Sequence, residues 1–190
     1  MTTKTTTASR IFYSIIMLPM MSAGLSIDHL DMVNVLPVPT EGTSVTTSIS
    51  EDAIIEQIRK ERAQAIDDYF EKRNLPLAGY GMKMVLEAEK NGLEDWRLIP
   101  AIGMRESTGG KFACTSVTYS PFGFGSCRMN FDSYDHAIEV VARNLGGNNP
   151  RTAGSYKNKT FAQKLKSYNS VIPNYTKEIV SIMNKISPTV

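Results

Sequence analysis

The sequence predicts a mainly α-helical domain that carries one disulfide-pinned loop or small hairpin. Three observations favour this class. Apolar residues after Ser50 recur at the three- and four-residue spacing of a helix face. Acidic or hydroxyl residues precede these segments, and Asn-Gly, Gly-Gly or Pro follow them, as at helix ends. The segment Lys111 to Phe131 has no helical period, is rich in Gly, Ser and aromatic residues, and contains both cysteines.

The first helix is predicted to start at Ser50 and to run to Arg73. Glu51 and Asp52 lie in its first turn, where acidic side chains are favoured. Its apolar face consists of residues at helical spacing: Ile54, Ile55, Ile58, Ala65, Ile66, Tyr69 and Phe70. The segment Asn74-Leu75-Pro76 ends it.

Two shorter helices follow. One is predicted from about Tyr80 to Lys90, ending at Asn91-Gly92. The next is expected to be capped by Asp95 and to lead to Glu106, before the stop at Ser107-Thr108-Gly109-Gly110. Pro100 lies within this pattern, so it predicts a bend or a short lead-in turn.

The C-terminal part of the chain predicts three more helices. Ser133 can cap a helix from Tyr134 to Leu145, which Gly146-Gly147 ends. A loop carrying Tyr156 is expected next. Two final helices are predicted, from about Thr160 to Tyr168 and from Tyr175 to Ile186.

The N-terminus has the order of segments found in secretory signals. Residues 2–10 are polar and basic, residues 11–21 are apolar, and small residues 22–24 follow. The apolar run is shorter than the roughly 20 residues of a membrane span and contains Pro19. We expect residues 1–26 to be a signal peptide or an N-terminal membrane anchor acting through residues 11–25, and residues 27–50 to be a linker. The protein is therefore expected to be exported, with its domain at residues 51–190.

Composition limits the remaining classes. The 190 residues are 42% hydrophobic and 21% charged, which is typical of a globular protein. A net charge of +2, without a basic stripe, gives no indication of nucleic-acid binding. Cys114 and Cys127 cannot close a zinc site without histidines, and His29 and His136 are poorly placed for one. In an exported chain the two cysteines predict one disulfide, and we expect no metal or cofactor.

Glu106 is the candidate for chemistry. It ends an apolar helical segment, where burial and the negative end of the helix dipole are both expected to raise a carboxyl pKa. A carboxylic acid that stays protonated near neutral pH can protonate the leaving oxygen of a glycoside. The alternative is a solvated glutamate paired with the neighbouring Arg105.

Four segments, in order, resemble the lysozyme-like cell-wall hydrolases. The group includes bacterial N-acetylglucosaminidases, lytic transglycosylases and goose-type lysozymes. The segments span roughly residues 53–187: the helix with Arg105-Glu106-Ser107, the loop Ser120-Pro121-Phe122-Gly123-Phe124, the helix start Phe131-Asp132-Ser133-Tyr134, and Tyr168-Asn169 with Pro173-Asn174-Tyr175. Ser120 stands where the glucosaminidases usually have Asn.

The resemblance implies a lysozyme-like fold that cleaves β-1,4 glycosidic bonds of peptidoglycan. It implies Glu106 as general acid and Tyr168 as the groove tyrosine that stabilises the transition state or orients the acetamido group. The second carboxylate is expected to be Asp132, or the substrate's own acetamido group replaces it. The expected substrate-binding residues beside the groove are Ser107, Phe122, Gly123, Phe124, Tyr156 and Tyr175.

The sequence leaves other functions of the protein, and other roles for these residues, open. N-acetylglucosaminidase is the first expectation, muramidase and lytic transglycosylase are variants of it, and a non-catalytic glycan-binding domain is the rival from another class. Several residues also have structural alternatives. Tyr168, Phe122, Phe124 and Trp96 could pack in the core, Asp132 could cap a helix, and His136 could lie on the surface.

Overall fold

The computed structural model describes residues 50–187. The predicted signal or anchor, and the predicted linker apart from Ser50, lie outside the described residues. Within residues 50–187 the chain forms seven helices and no strand, which confirms the mainly α-helical class. None of these helices has the length and apolar character needed to cross a membrane. The helices are α1 (Glu51–Glu71), α2 (Gly81–Lys90), α3 (Leu98–Ser107), α4 (Tyr134–Leu145), α5 (Ala153–Tyr156), α6 (Phe161–Tyr168) and α7 (Tyr175–Ile186).

Side-chain caps fix the starts of three helices. The Ser50 hydroxyl accepts from the Ala53 N–H at the start of α1, and the Ser133 hydroxyl accepts from the His136 N–H at the start of α4. At the start of α6, Thr160 and Gln163 form a reciprocal capping box. Each cap satisfies an N–H that has no partner within its own helix. The predicted starts at Ser50 and Ser133 are confirmed.

The start of α3 differs from the prediction. Asp95 does not cap this helix, which begins after Arg97. The Asp95 carboxylate accepts from the Arg97 backbone N–H at 2.8 Å and also pairs with the Arg97 guanidinium. Burial alone would raise the pKa of Asp95, but these hydrogen bonds outweigh it and lower that pKa. Pro100 falls in the first turn, where its missing N–H has no intrahelical partner to lose.

The segment around Tyr156 was expected to be a loop and instead contains the four-residue helix α5. This segment lacks the repeated apolar spacing from which longer helices are recognised. Tyr156 itself is buried, and its burial raises the pKa of its hydroxyl. The short helix is therefore held by packing of this ring into the core.

Helix α3 lies in the centre of the domain and packs against α2, α4 and α7. Its residues Leu98, Ile99, Ala101 and Ile102 are at most 2% exposed. At Gly103, an added Cβ would lie 2.8 Å from Leu77 Cδ1 and 3.0 Å from Phe122 Cε1. The last turn of α3 is therefore held close against the loop that carries Phe122.

The loop between α3 and α4 is pinned by a Cys114–Cys127 disulfide, which confirms the predicted pair. Residues 108–133 contain turns and bends without a strand, so the loop alternative applies and the hairpin does not. A second tie brings its two halves together, because the Phe131 N–H donates to the Thr118 carbonyl. The loop is therefore closed both covalently and by hydrogen bonds.

Removing this disulfide should destabilise the domain. For a sequence separation of 13, loop-closure entropy predicts a loss of about 3 kcal/mol in the free energy of unfolding. Urea denaturation of wild type and of Cys114→Ser/Cys127→Ser, both under non-reducing conditions, measures the difference. Wild type under a strong reductant should match the double variant. Equal stability of oxidised wild type and variant contradicts the expectation.

Candidate active site

Glu106 lies in the last turn of α3 and is half-buried. The helix ends at Ser107 because Thr108 adopts a left-handed conformation, with φ of 52°, and Gly109 follows with φ of 62°. In that conformation the Thr108 and Gly109 N–H groups bond back to the carbonyls of Met104 and Gly103. The stop signals read from the sequence thus place Glu106 where the helix surface meets the disulfide-pinned loop.

One oxygen of Glu106 is held by a tyrosine of another helix. The Tyr175 hydroxyl, at the start of α7, donates to Glu106 Oε1 at 2.6 Å. Tyr175 is only 3% exposed. Burial raises the pKa of Tyr175 well above its usual range, and the hydrogen bond to Glu106 is the second largest cause of this rise. The hydroxyl therefore stays a donor, and it fixes the orientation of the carboxyl group.

The other oxygen of Glu106 lies against the backbone of the loop. A Cβ added at Gly123 would lie 3.0 Å from Glu106 Oε2. Gly123 also has φ of +60°, a conformation that residues other than glycine rarely adopt. The loop thus approaches the carboxyl group at a distance that only glycine permits without a shift.

Tyr168, at the end of α6, lies beside this pair. Its ring stacks on Tyr175 with centroids 6.4 Å apart and lies 6.2 Å from the ring of Phe124. Its hydroxyl donates to the Phe122 carbonyl at 2.7 Å. Burial, followed by Tyr175 and Glu106, raises the pKa of Tyr168 well above its usual value. Tyr175, and not Tyr168, is the hydrogen-bond partner of Glu106.

Besides Tyr175, three of the expected substrate-binding side chains are also buried. Phe122 is fully buried in the core, and Ser107 and Tyr156 are 3% and 6% exposed. Their side chains support the site and do not line an open groove. The Ser107 hydroxyl donates to the Pro121 carbonyl and accepts from the Gly110 N–H, so it joins the end of α3 to the loop. The sequence could not separate these roles, because apolar side chains suit both a core and a sugar-binding wall.

Arg105 does not pair with its neighbour Glu106. Its guanidinium forms an ion pair with Glu178 of α7 and lies 6.0 Å from the centre of the Tyr175 ring. Successive helix residues point in different directions, so adjacent charges do not face each other. The simple alternative of a surface Arg105–Glu106 pair is therefore wrong.

Asp132 lies just before α4, with a side chain that is 94% exposed. Its carboxylate is 3.0 Å from His136 Nδ1, and Ser133 provides the helix cap in its place. His136 is half-exposed and packs edge-on against Phe131. The role of Asp132 as a second acid stays a prediction. Within residues 50–187 no group of three or more potential ligand side chains is arranged to hold a metal ion.

A groove of about 410 Å³ has Phe124 in its lining, and the sequence did not predict it. We call it the arginine groove; it is lined by Phe124, Met129, His136, Val140, Arg143, Asn144, Asn149, Arg151 and Thr152. Arg143 belongs to α4 and Arg151 to the turn before α5. No spacing rule links two such positions, so the sequence carries no signal for their meeting.

Replacing Tyr175 with phenylalanine removes the donor that orients the Glu106 carboxyl group, so any turnover that depends on Glu106 should fall about ten-fold. Ultraviolet titration provides a second readout. The raised pKa of Tyr175 predicts that wild type and Tyr175→Phe release the same number of phenolic protons up to about pH 11.

The same raised pKa has a consequence for stability. The unfolded chain ionises this tyrosine near pH 10, whereas the folded protein keeps it protonated. The stabilisation it confers is therefore present below about pH 10 and declines as the pH rises further. A phenolic ionisation below about pH 11 that folded wild type shows and Tyr175→Phe lacks contradicts the raised pKa of Tyr175.

Comparison of the chain with protein-family models, with curated proteins and with solved structures finds no match.

Proposed function

We propose that this protein is a glycoside hydrolase that cleaves β-1,4 bonds in the glycan strands of peptidoglycan, on a lysozyme-like fold. One observation carries the proposal. The carboxyl group of Glu106 is held between the Tyr175 hydroxyl and the Gly123 backbone, at the end of a buried helix and beside the stacked rings of Tyr168 and Tyr175. A single oriented carboxyl group next to aromatic faces fits a general acid acting on a sugar.

The proposed chemistry begins with Glu106. Its proton passes to the glycosidic oxygen as the bond to the anomeric carbon breaks, and positive charge develops on the sugar ring. The half-buried rings of Phe124 and Tyr168, 6.2 Å apart, are the proposed contacts for a sugar ring. Water then attacks the anomeric carbon, with Asp132 as the proposed carboxylate that activates it. Alternatively, the substrate's acetamido oxygen attacks first and forms an oxazoline, which water then opens. N-acetylglucosaminidase is the preferred activity, and muramidase and lytic transglycosylase use the same acid.

The proposed location is outside the cytoplasm, as a secreted, periplasmic or cell-surface protein. The Cys114–Cys127 disulfide supports this location, because such bonds persist mainly in oxidising compartments. The glycan strands of the cell wall, built from N-acetylglucosamine and N-acetylmuramic acid, lie in those compartments. Substrate and enzyme are thus proposed to meet there.

Digestion of purified peptidoglycan sacculi tests the function. We expect wild-type protein to release soluble fragments, and mass spectrometry of their ends identifies the bond. A reducing N-acetylglucosamine end indicates a glucosaminidase, a reducing N-acetylmuramic acid end a muramidase, and an anhydro end a lytic transglycosylase. Binding to sacculi without release of any fragment contradicts a hydrolase and favours a glycan-binding domain.

A further inference from the structure

The arginine groove has the properties of an anion-binding site. Arg143 and Arg151 line it together with His136, and its lining contains no Asp or Glu. Within residues 50–187 neither arginine forms an ion pair, although Glu139 lies one helical turn before Arg143. The Asp132 carboxylate lies beside the lining, 3.0 Å from His136 Nδ1, so two arginines against this one acid leave a net positive potential.

The backbone segments that carry the two arginines are held together by a buried amide. Asn144, which follows Arg143 on α4, is fully buried, and its Nδ2 donates to the Val140 carbonyl at 2.7 Å. Its Oδ1 accepts from Asn149 Nδ2 at 3.1 Å and from the Thr152 hydroxyl. The Asn149 Oδ1 in turn accepts from the Arg151 backbone N–H at 3.1 Å. The turn that carries Arg151 is thus bonded directly to the helix that carries Arg143.

The groove also has an apolar part that joins it to the proposed active site. Phe124, Met129 and Val140 line this part. The Phe124 ring is also the neighbour of Tyr168, whose ring stacks on the tyrosine that holds Glu106. Phe124 therefore borders both the arginine groove and the tyrosines beside Glu106.

We propose that the arginine groove binds a carboxylate of the peptide substituent carried by the glycan strand, so that the enzyme selects peptide-bearing strands over neutral sugar polymers. This inference rests on the proposed function for the identity of the strand. An arginine guanidinium pairs with a carboxylate through two parallel hydrogen bonds, which suits this group. Phe124, Met129 and Val140 cover the apolar side chains of the peptide.

Small soluble probes test the groove without any turnover. NMR titration measures the binding of three of them: N-acetylmuramyl-L-alanyl-D-glutamate with free carboxylates, N-acetylmuramic acid, and N-acetylglucosamine. Wild type should bind the muramyl dipeptide at least about ten-fold more tightly than N-acetylglucosamine. Arg143→Gln/Arg151→Gln should lose this difference. Both arginines are exposed, so their replacement should leave the fold intact.

Two matched variants separate charge from geometry. Lys72→Gln/Lys185→Gln removes the same two charges from exposed positions outside the groove and should bind like wild type. Arg143→Lys/Arg151→Lys keeps the charges but loses the planar fork, so we expect intermediate affinity. Equal affinity of wild type and Arg143→Gln/Arg151→Gln for the dipeptide overturns the proposal. Arginine-dependent binding of N-acetylmuramic acid that equals the dipeptide assigns the carboxylate to the sugar and overturns the peptide assignment.

Binding and cleavage, measured together, distinguish failure of the arginine-groove proposal from failure of the hydrolase proposal. Arginine-dependent binding of the dipeptide, without cleavage of sacculi by wild type, supports the groove and refutes the hydrolase. Cleavage of sacculi with the same KM in wild type and Arg143→Gln/Arg151→Gln supports the hydrolase and refutes the groove. A higher KM with unchanged kcat in the double variant supports both, because binding away from the scissile bond contributes equally before and during the reaction.

Discussion

Replacing Glu106 with glutamine should lower the rate of peptidoglycan cleavage by about 10²- to 10⁴-fold, which is the contribution expected of a general acid. Glutamine has nearly the same shape and keeps an oxygen that can accept from the Tyr175 hydroxyl. It has no proton of suitable acidity to give to a leaving oxygen. The loss is expected in kcat, while binding of the glycan strand is retained. Release of soluble fragments from sacculi, followed over time, gives both quantities.

The matched control is Glu178→Gln. Glu178 is also half-buried, and it pairs with Arg105 next to the same α3–α7 contact, so this change removes one negative charge close to the site. Turnover should change by less than about three-fold. Equal turnover by wild type and Glu106→Gln refutes the general-acid role. A similar loss in both variants attributes the effect to local charge and refutes it as well.

The parts of the fold that the sequence predicted correctly are those governed by short-range rules. Ser50 and Ser133 cap their helices because a hydroxyl followed by a helical segment satisfies free N–H groups within three residues. The end of α3 was predicted for the same kind of reason, since Gly109 and Gly110 both adopt positive φ. Asp95 was misread because a nearby arginine competes for the carboxylate, and propensity alone cannot rank the two partners.

The parts of the site that the sequence did not predict depend on contacts between distant segments. Tyr168 and Tyr175 were both marked, but the partner of Glu106 is decided by how α6 and α7 pack against α3. Phe122 was expected to face sugar, yet Gly103 leaves room for its ring inside the core. Arg143 and Arg151 line one groove because the Asn144 hydrogen bonds tie the turn before α5 to α4. A single sequence therefore gives no information about how distant segments pack against each other.

Gly123→Ala should lower kcat by about ten-fold, less than the 10²-fold cost of a displacement of about 1 Å, because the close contact requires a shift of only a few tenths of an ångström. The added Cβ would lie 3.0 Å from Glu106 Oε2, closer than most real contacts of a Cβ atom. Either the carboxyl group or the loop must therefore move. The hydrogen bond from Tyr175 opposes movement of the carboxyl group, and the Tyr168 bond to the Phe122 carbonyl opposes movement of the loop.

Gly92→Ala is the control that separates the effect of the Cβ contact with Glu106 from the effect of backbone strain. Gly92 has φ of +64°, close to the +60° of Gly123, and a Cβ added there meets nothing within 4 Å. Both variants should lose about 1 kcal/mol of stability in urea denaturation, because alanine disfavours positive φ. Only Gly123→Ala should lose turnover. Similar turnover in the two variants means that Gly123 serves the turn alone, and the close approach of the loop to Glu106 then has no part in catalysis.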